Sequence, residues 1–240
     1  MNVILPMAGR GSRFSKQNYT LPKPLIDVLG KPMAECAVES LDFDAKWHFL
    51  IRADEHEQQL RELIESVKPG SVVIAIDYVT EGPASSALLF KEYINNDEPL
   101  IIANCDQIME WDSQRFLDYV SVYDGAVVTY HTDTEKNSYA RINQQGLVQE
   151  IKEKEVISNV SLIGVHWWRC GRFFVDSAER MIAADDRAYN GEFYVGPTYN
   201  YMINQGLKVG IFHIPSQQFH PVGIPDDLKR YVLYETSKIK

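Results

Sequence analysis

Apolar residues along the chain fall into two alternating patterns. Short, β-branched runs bounded by turn residues occur at 3–8, 48–52, 72–76, 100–103 and 126–130, and their length and composition predict buried strands. The stretches between them carry helical spacing. The clearest is 57–68, where Leu60, Leu63, Ile64 and Val67 recur at i, i+3, i+4 and i+7 before Pro69-Gly70 ends the run. Asp112 or Ser113 can cap a second helix that carries Phe116, Leu117 and Val120. Strand and helix alternating through residue 130 predict right-handed crossovers and a Rossmann-like, mostly parallel sheet with helices on both faces.

After residue 130 the pattern becomes mixed. Strands are predicted at 139–142, 148–152, 160–168 and 209–214, and helices at 173–184 and 197–205, with Gly206 placed where a C-cap glycine belongs. Repeats, low-complexity tracts and Gly/Ser linkers are lacking, so the expectation is one α/β domain over 1–240, with a first half to 130 and a mixed half over 131–240. Eight aromatics gather in the second half: Trp167, Trp168, Phe173, Phe174, Phe193, Tyr194, Tyr199 and Tyr201. At strand and helix spacing, residues of this kind are expected in the core.

Composition narrows the function classes. With 240 residues, 45% of them apolar and 24% charged, the chain can bury a full core. Its formal net charge of −9 argues against nucleic-acid binding, which needs surplus Lys and Arg. Cys36, Cys105 and Cys170 form no C-x-x-C pair, so neither a disulfide framework nor a zinc site is expected and a reducing compartment fits. No apolar stretch approaches the roughly 18 residues that cross a bilayer, and no basic region precedes the first strand. The expectation is a cytoplasmic protein without a membrane partner.

Candidate chemistry begins directly after the first strand, in L-P-M-A-G-R-G-S-R-F at 5–14. Gly9 and Gly11 clear side chains from a turning loop whose backbone N–H groups can bind phosphate oxygens, and Arg10 and Arg13 add charge. Glycine spacing alone leaves a phosphate loop and a plain strand-to-helix turn equally open. The loop lacks the G-K-[ST] ending of a Walker A loop and the third glycine of a dinucleotide fingerprint, which disfavours a P-loop ATPase or a dehydrogenase. Next comes L-P-K-P-L at 21–25, where two prolines restrict the backbone around Lys23 and preorganise it. Further on, P-L-I-I-A-N-C-D-Q at 99–107 is an apolar strand that ends on Asp106, at the carboxyl end where ligands bind in open α/β sheets.

The pairing of G-x-G-S-R-F with L-P-K-P-L resembles the sugar nucleotidyltransferase (sugar-phosphate pyrophosphorylase) family. The resemblance implies a glycosyltransferase-A-like nucleotidyltransferase fold, in which the first half binds nucleotide and the second the acceptor. It also implies Mg2+-dependent attack of a sugar 1-phosphate on the α-phosphate of an NTP, forming an NDP-sugar and pyrophosphate for nucleotide-sugar and polysaccharide biosynthesis. By resemblance Leu5, Ala8, Gly9, Gly11 and Ser12 line the nucleotide, and Arg13, Lys23 and Asp106 are catalytic, with Asp106 as metal ligand. A lone strand-tip carboxylate suits a hard cation otherwise held by water and phosphates. T-E-G-P-A-S-S-A-L at 80–88 resembles the base-reading loop, so Glu81, Gly82 and Ala84 are base-contact candidates, and the loop's small residues let a flat base approach the backbone. On the acceptor side, 150–154 resembles the family's E-K segment and 190–193 its G-E segment, implicating Glu153, Lys154 and Glu192. Lys152 would share a strand face with Lys154 by period-two geometry, so either could reach the acceptor phosphate.

One departure stands out. Residues 220–228 resemble the family's G-T-P-E-D-L segment, but Pro221 occupies the place where many members carry a second metal-binding aspartate, so either one protein carboxylate plus phosphates holds the metal or another residue, His220 or Asp226, completes its sphere. Three other functions compete: a cytidylyltransferase acting on a phosphorylated non-sugar, a nucleotide-sugar-dependent glycosyltransferase, and a non-catalytic nucleotide sensor. N-C-D-Q carries only one acid where such glycosyltransferases carry D-x-D, and they lack the two glycine and proline motifs. The base, the acceptor and the oligomeric state do not follow from the sequence.

Overall fold

A computed structural model describes residues 1–132, 134 and 137–238. The chain folds into two compact units, each drawn from separate stretches: Met1–Ile4, Thr80–Ala103 and Gln114–Ser216 in the first, and Leu5–Val79, Asn104–Ser113 and Gln217–Lys240 in the second. No helix among the described residues is long and apolar enough to cross a membrane.

In the first unit Asn2–Ile4 pairs in parallel with Leu100–Ile102. The long strand Val160–Trp168 runs antiparallel to Leu100–Ala103, to Gly125–His131 and, through Ser161, to Ser138–Ile142. Val209–His213 lies parallel to Gly125–Thr129, and Val148–Glu153 antiparallel to Ser138–Ile142. Following these pairings, five strands share one direction and only Val148–Glu153 and Val160–Trp168 oppose them. The fold is thus mixed α/β with mostly parallel strands. Val160–Trp168 is buried along almost its whole length, as its near-continuous apolar sequence requires of a strand flanked on both sides.

The first unit's core is aromatic. Trp168 and Tyr199 stack with centroids 4.8 Å apart, and Phe174 packs 5.0 Å from Trp168. Tyr199 offers its hydroxyl to the carbonyls of Ala126 and Trp167, each at 3.0 Å. Its ring leaves no room at Gly125, where a Cβ would come within 2.8 Å. Trp167, Trp168, Phe174, Phe193 and Tyr199 are buried as expected, whereas Phe173, Tyr194 and Tyr201 are only partly covered.

In the second unit Lys46–Arg52 and Val72–Ile76 pair in parallel, joined by the helix Glu57–Val67 with Leu60 and Ile64 buried. The elements expected from periodicity all form, with ends shifted by one or two residues. The structure adds elements beyond that reading, among them the helix Met33–Leu41, the one-turn helix Ser12–Ser15, and an antiparallel pairing of Gln107–Met109 with Phe219–Pro221. A core of Phe14, Ile26, Val28, Met33, Ile108, Val222 and Leu228 holds together chain stretches around 14–33, 108 and 222–228 that are distant in sequence.

His166, on the Val160–Trp168 strand, is buried in the aromatic core, its ring 5.9 Å from Tyr199 and 6.2 Å from Trp168. Its Nδ1 has no hydrogen-bond partner among the described residues, and burial pushes its pKa down to about 3. The ring is therefore neutral when folded but takes up a proton near pH 6.5 when unfolded. Stability is complete above that pH and falls by about 1 kcal/mol per pH unit below it, until the folded pKa is reached. Urea midpoints measured at pH 7, 6 and 5 are expected to decline for the wild type. The decline should be shallower in His166→Phe, and equal slopes would show that His166 does not carry the effect.

Candidate active site

The glycine loop of the second unit leaves the strand Asn2–Pro6 and turns into Ser12–Ser15. Leu5 and Ala8 are buried, so only their backbones could meet a nucleotide. Gly9 and Arg10 are exposed. Gly11 adopts φ +59°, a left-handed conformation that favours glycine, and its carbonyl accepts the N–H of Phe14 at 2.9 Å. Phe14 is anchored in the core, which leaves Ser12 and Arg13 exposed.

The L-P-K-P-L segment forms a 3-10 turn at Lys23–Leu25, entered from extended Pro22 and pinned by buried Pro24 and Leu25. Gly11 packs directly against it, since a Cβ there would lie 3.3 Å from Lys23 Cβ. From this turn Lys23 Nζ reaches Asp106 Oδ2 at 2.8 Å. Burial alone would lower the lysine pKa, but the Asp106 charge and hydrogen bond outweigh it, and the ammonium is held above the usual lysine range. Arg13 is close enough to oppose this shift through its own charge.

Asp106 is also held from behind. Its carbonyl accepts the Val222 N–H at 2.9 Å, and Gly223 lies so close that a Cβ would stand 2.4 Å from Oδ2. The pairing of Gln107–Met109 with Phe219–Pro221 brings these residues together, setting Pro221 opposite Gln107. Neighbouring Cys105 is buried, and burial pushes its thiol up to about 11, so it stays protonated and unreactive.

Among the described residues no group of three or more His, Cys, Asp or Glu could hold a metal ion. His220 contacts Glu110 at 3.0 Å and packs beside Tyr231 and Tyr234, while Asp226 lies 3.9 Å from Lys229. A single carboxylate does not make a protein cage. It does fit a hard divalent cation that takes its remaining ligands from water and substrate phosphates.

In the first unit the segment at 80–88 is fastened to the chain around Phe193. The Phe193 N–H donates to the Glu81 carbonyl at 2.8 Å, and the Ala84 N–H to the Phe193 carbonyl at 3.0 Å. Gly82 has φ +135°, and a Cβ on it would come within 2.5 Å of the Phe193 carbonyl oxygen. The glycine is thus required by a neighbouring backbone, a reason that small size alone did not reveal. Arg187 closes the joint. Its guanidinium bonds Glu81 Oε1 at 2.8 Å and the Gly191 carbonyl at 2.9 Å, pairs with Asp185, and lies 4.1 Å over the Phe193 ring.

The acceptor-side candidates also lie in the first unit. Glu153 accepts a hydrogen bond from Ser138, yet burial, helped by the Glu192 charge, holds its pKa above the usual carboxylate value. The shared face expected for Lys152 and Lys154 is corrected by the structure. The strand ends at Glu153, and Lys154 turns to φ +55°, which breaks the two-residue alternation. Lys152 lies 3.5 Å from Glu150. The Lys154 ammonium instead sits 5.6 Å from each of the Tyr189 and Tyr194 ring centroids. Burial would lower its pKa, but the two tyrosines and Glu153 raise it on balance.

Sequence reasoning missed Arg187 and Tyr189, because nothing local links them to residues 81 or 154. The role of Gly223 was partly legible from its place in the motif.

Known proteins bear on this geometry. The family model described as nucleotidyl transferase matches residues 1–188. The bifunctional protein GlmU of Methanococcus maripaludis (strain C5) is 25% identical over 175 residues, covering 69% of this chain and 39% of that protein. The chain therefore spans well under half the length of that curated relative. Among solved structures, a nucleoside-diphosphate-sugar pyrophosphorylase from Vibrio cholerae superposes with a TM-score of 0.86 at 22% identity, covering 96% of this chain and 99% of the other. The inositol-1-phosphate CTP transferase from T. maritima does so with a TM-score of 0.75 at 15% identity, covering 97% and 94%. At such identities these two likenesses speak for the fold. With the family model matched over 188 of 240 residues, on a chain that pairs the lysine of its P-K-P-L turn with a strand-end aspartate, the chain belongs to the nucleotidyl transferase family.

Proposed function

We propose that this enzyme transfers a nucleoside monophosphate from an NTP to a sugar 1-phosphate. An oxygen of the acceptor phosphate attacks the α-phosphorus in line and forms the new P–O bond. The bond from the α-phosphorus to the bridging oxygen breaks, and pyrophosphate leaves with the electron pair. No general base is needed, because a phosphate monoester with its second pKa near 6 is already largely ionised at neutral pH. The reading rests on the 2.8 Å contact of Lys23 with Asp106 beside the glycine loop.

In this reading the loop backbone from Gly9 to Ser12 cradles the phosphates, while Arg13 and Lys23 neutralise charge that grows on the leaving pyrophosphate and at the reacting centre. Asp106 would hold Mg2+, which when bound supplies further neutralisation of the phosphate oxygens. Glu81, Gly82 and Ala84 border the base, while Glu153, Lys154 and Glu192, with Lys152 nearby on its strand, serve the acceptor.

The assignment is tested by pyrophosphate release from the four NTPs and dTTP, each combined with a panel of phosphosugars and phosphorylated non-sugars. A sugar 1-phosphate is expected to give the fastest release. Preference for a phosphorylated alcohol would move the acceptor class, and NTP binding without any release would leave a sensor instead. Asp106→Asn and Lys23→Ala are each expected to lower turnover by about 100-fold or more with unchanged circular dichroism, consistent with the usual cost of removing electrostatic groups from such sites. Undiminished release from either variant rules out its assigned role. Gly223→Ala adds a methyl group where Asp106 Oδ2 now lies and is expected to reduce kcat/KM about 10-fold or more while changing stability by only about 1 kcal/mol. Full activity in this variant would mean that the position of Asp106 is not critical.

A further inference from the structure

The joint that Arg187 makes in the first unit ties two loops to which the proposed reaction gives different substrates. On one side are Glu81 and the Gly82–Ala84 turn, assigned to the base. On the other is the 185–194 segment, which carries Tyr189, Glu192 and Tyr194 toward Lys154 and Glu153 on the acceptor side.

The joint is built from several independent contacts. Two backbone hydrogen bonds link Phe193 to Glu81 and Ala84. Gly82 is pressed against the Phe193 backbone with no room for a side chain. The Arg187 guanidinium bonds the Glu81 carboxylate, the Gly191 carbonyl and Asp185 while covering the Phe193 ring. Within the 185–194 segment, the Ala188 N–H donates to the Glu192 carbonyl at 3.0 Å, and Asn190 bonds the Tyr194 hydroxyl at 3.0 Å. Short, directional contacts thus join the 81–84 segment to the stretch that carries Tyr189, Glu192 and Tyr194.

We infer that Arg187 is a positioning residue that couples the two substrates: a nucleotide that settles the 81–84 segment also settles Glu192 and the tyrosines beside Lys154, and the acceptor does the reverse. This inference rests on the nucleotidyl-transfer reading and on the assignment of the two loops within it. Arg187 itself need touch neither substrate. Because linkage is reciprocal, the coupling is expected as one factor by which each substrate changes the other's affinity, commonly 5-fold or more when two sites share such an element. Lysine could keep the ion pair with Glu81 but could not form the planar fork over Phe193 that also reaches Gly191.

The test uses the full chain with the NTP and phosphorylated acceptor that give the fastest pyrophosphate release. The Kd of a non-reacting α,β-methylene analogue of that NTP is measured by calorimetry without and with saturating acceptor, in the wild type, Arg187→Ala and Arg187→Lys, with thermal unfolding of each variant as a control for folding. In the wild type the Kd is expected to fall about 5-fold or more when acceptor is present. In Arg187→Ala it should become nearly independent of acceptor, with kcat at saturation of both substrates within about 3-fold of the wild type, and Arg187→Lys should lie between. A merely structural role would lower the amount of active enzyme or its unfolding temperature but would not remove the dependence of one affinity on the other substrate. The inference is overturned if the wild type shows no such dependence, or if Arg187→Ala keeps it in full. Should Arg187→Ala fail to fold, Arg187→Lys decides alone, and full coupling in it overturns the role of the fork. A wild-type enzyme that releases no pyrophosphate with any pair would instead sink the transfer reading itself.

Discussion

The contact between Lys23 and Asp106 is the constraint around which the second unit is arranged. Each charge is only partly exposed, so removing either partner would leave the other poorly solvated and unpaired, a worse state than the intact pair. The surrounding residues serve this geometry. Pro22 and Pro24 fix the turn that presents the lysine, Gly11 lets the glycine loop close on it, and Gly223 with the Val222 N–H braces the aspartate. An ammonium held in its charged form and a carboxylate fixed in place are both preformed, the kind of fixed charge that needs little reorganisation to act on another charge.

The first unit solves a different problem with different means. Its core is a stack of large aromatic side chains around the central antiparallel strand, and its candidate binding residues lie at the ends of a strand and a helix and on turns tied down by backbone hydrogen bonds and one arginine. Glu153 and Lys154 illustrate how neighbours shape chemistry there. Burial favours the neutral form of the carboxylate, and the tyrosine pair helps keep the lysine charged. Rigid scaffolds that present functional loops are the common arrangement for binding sites. Here the loops are stiffened further by Gly82 lying against the Phe193 backbone.

The alternation of strand and helix, most of the aromatic core, the turning glycine loop and the proline-flanked lysine were legible from the chain, because each is a local signal: a period, a proline pair, a glycine in a turn. Lys154 shows where local signals end. Period-two reasoning placed it on one face with Lys152, but the strand stops at Glu153 and a left-handed residue redirects the side chain toward two tyrosines 35 and 40 positions away. Gly82 offers room for a base on sequence grounds, and in the structure its lack of a side chain also answers to a backbone more than a hundred residues distant.

By itself, then, the sequence determined the α/β class, the glycine loop, the preorganised Lys23 and the strand-end Asp106, since these follow from backbone preferences and hydrophobic periodicity within a few residues. Only the tertiary structure decided that Lys23 and Asp106 touch, that Gly223 backs the aspartate, and that Arg187 locks Glu81 to Phe193. Those contacts join residues 83 to 117 positions apart in the chain. Pairings of that span depend on how strands register and how loops close in space, which no local pattern encodes.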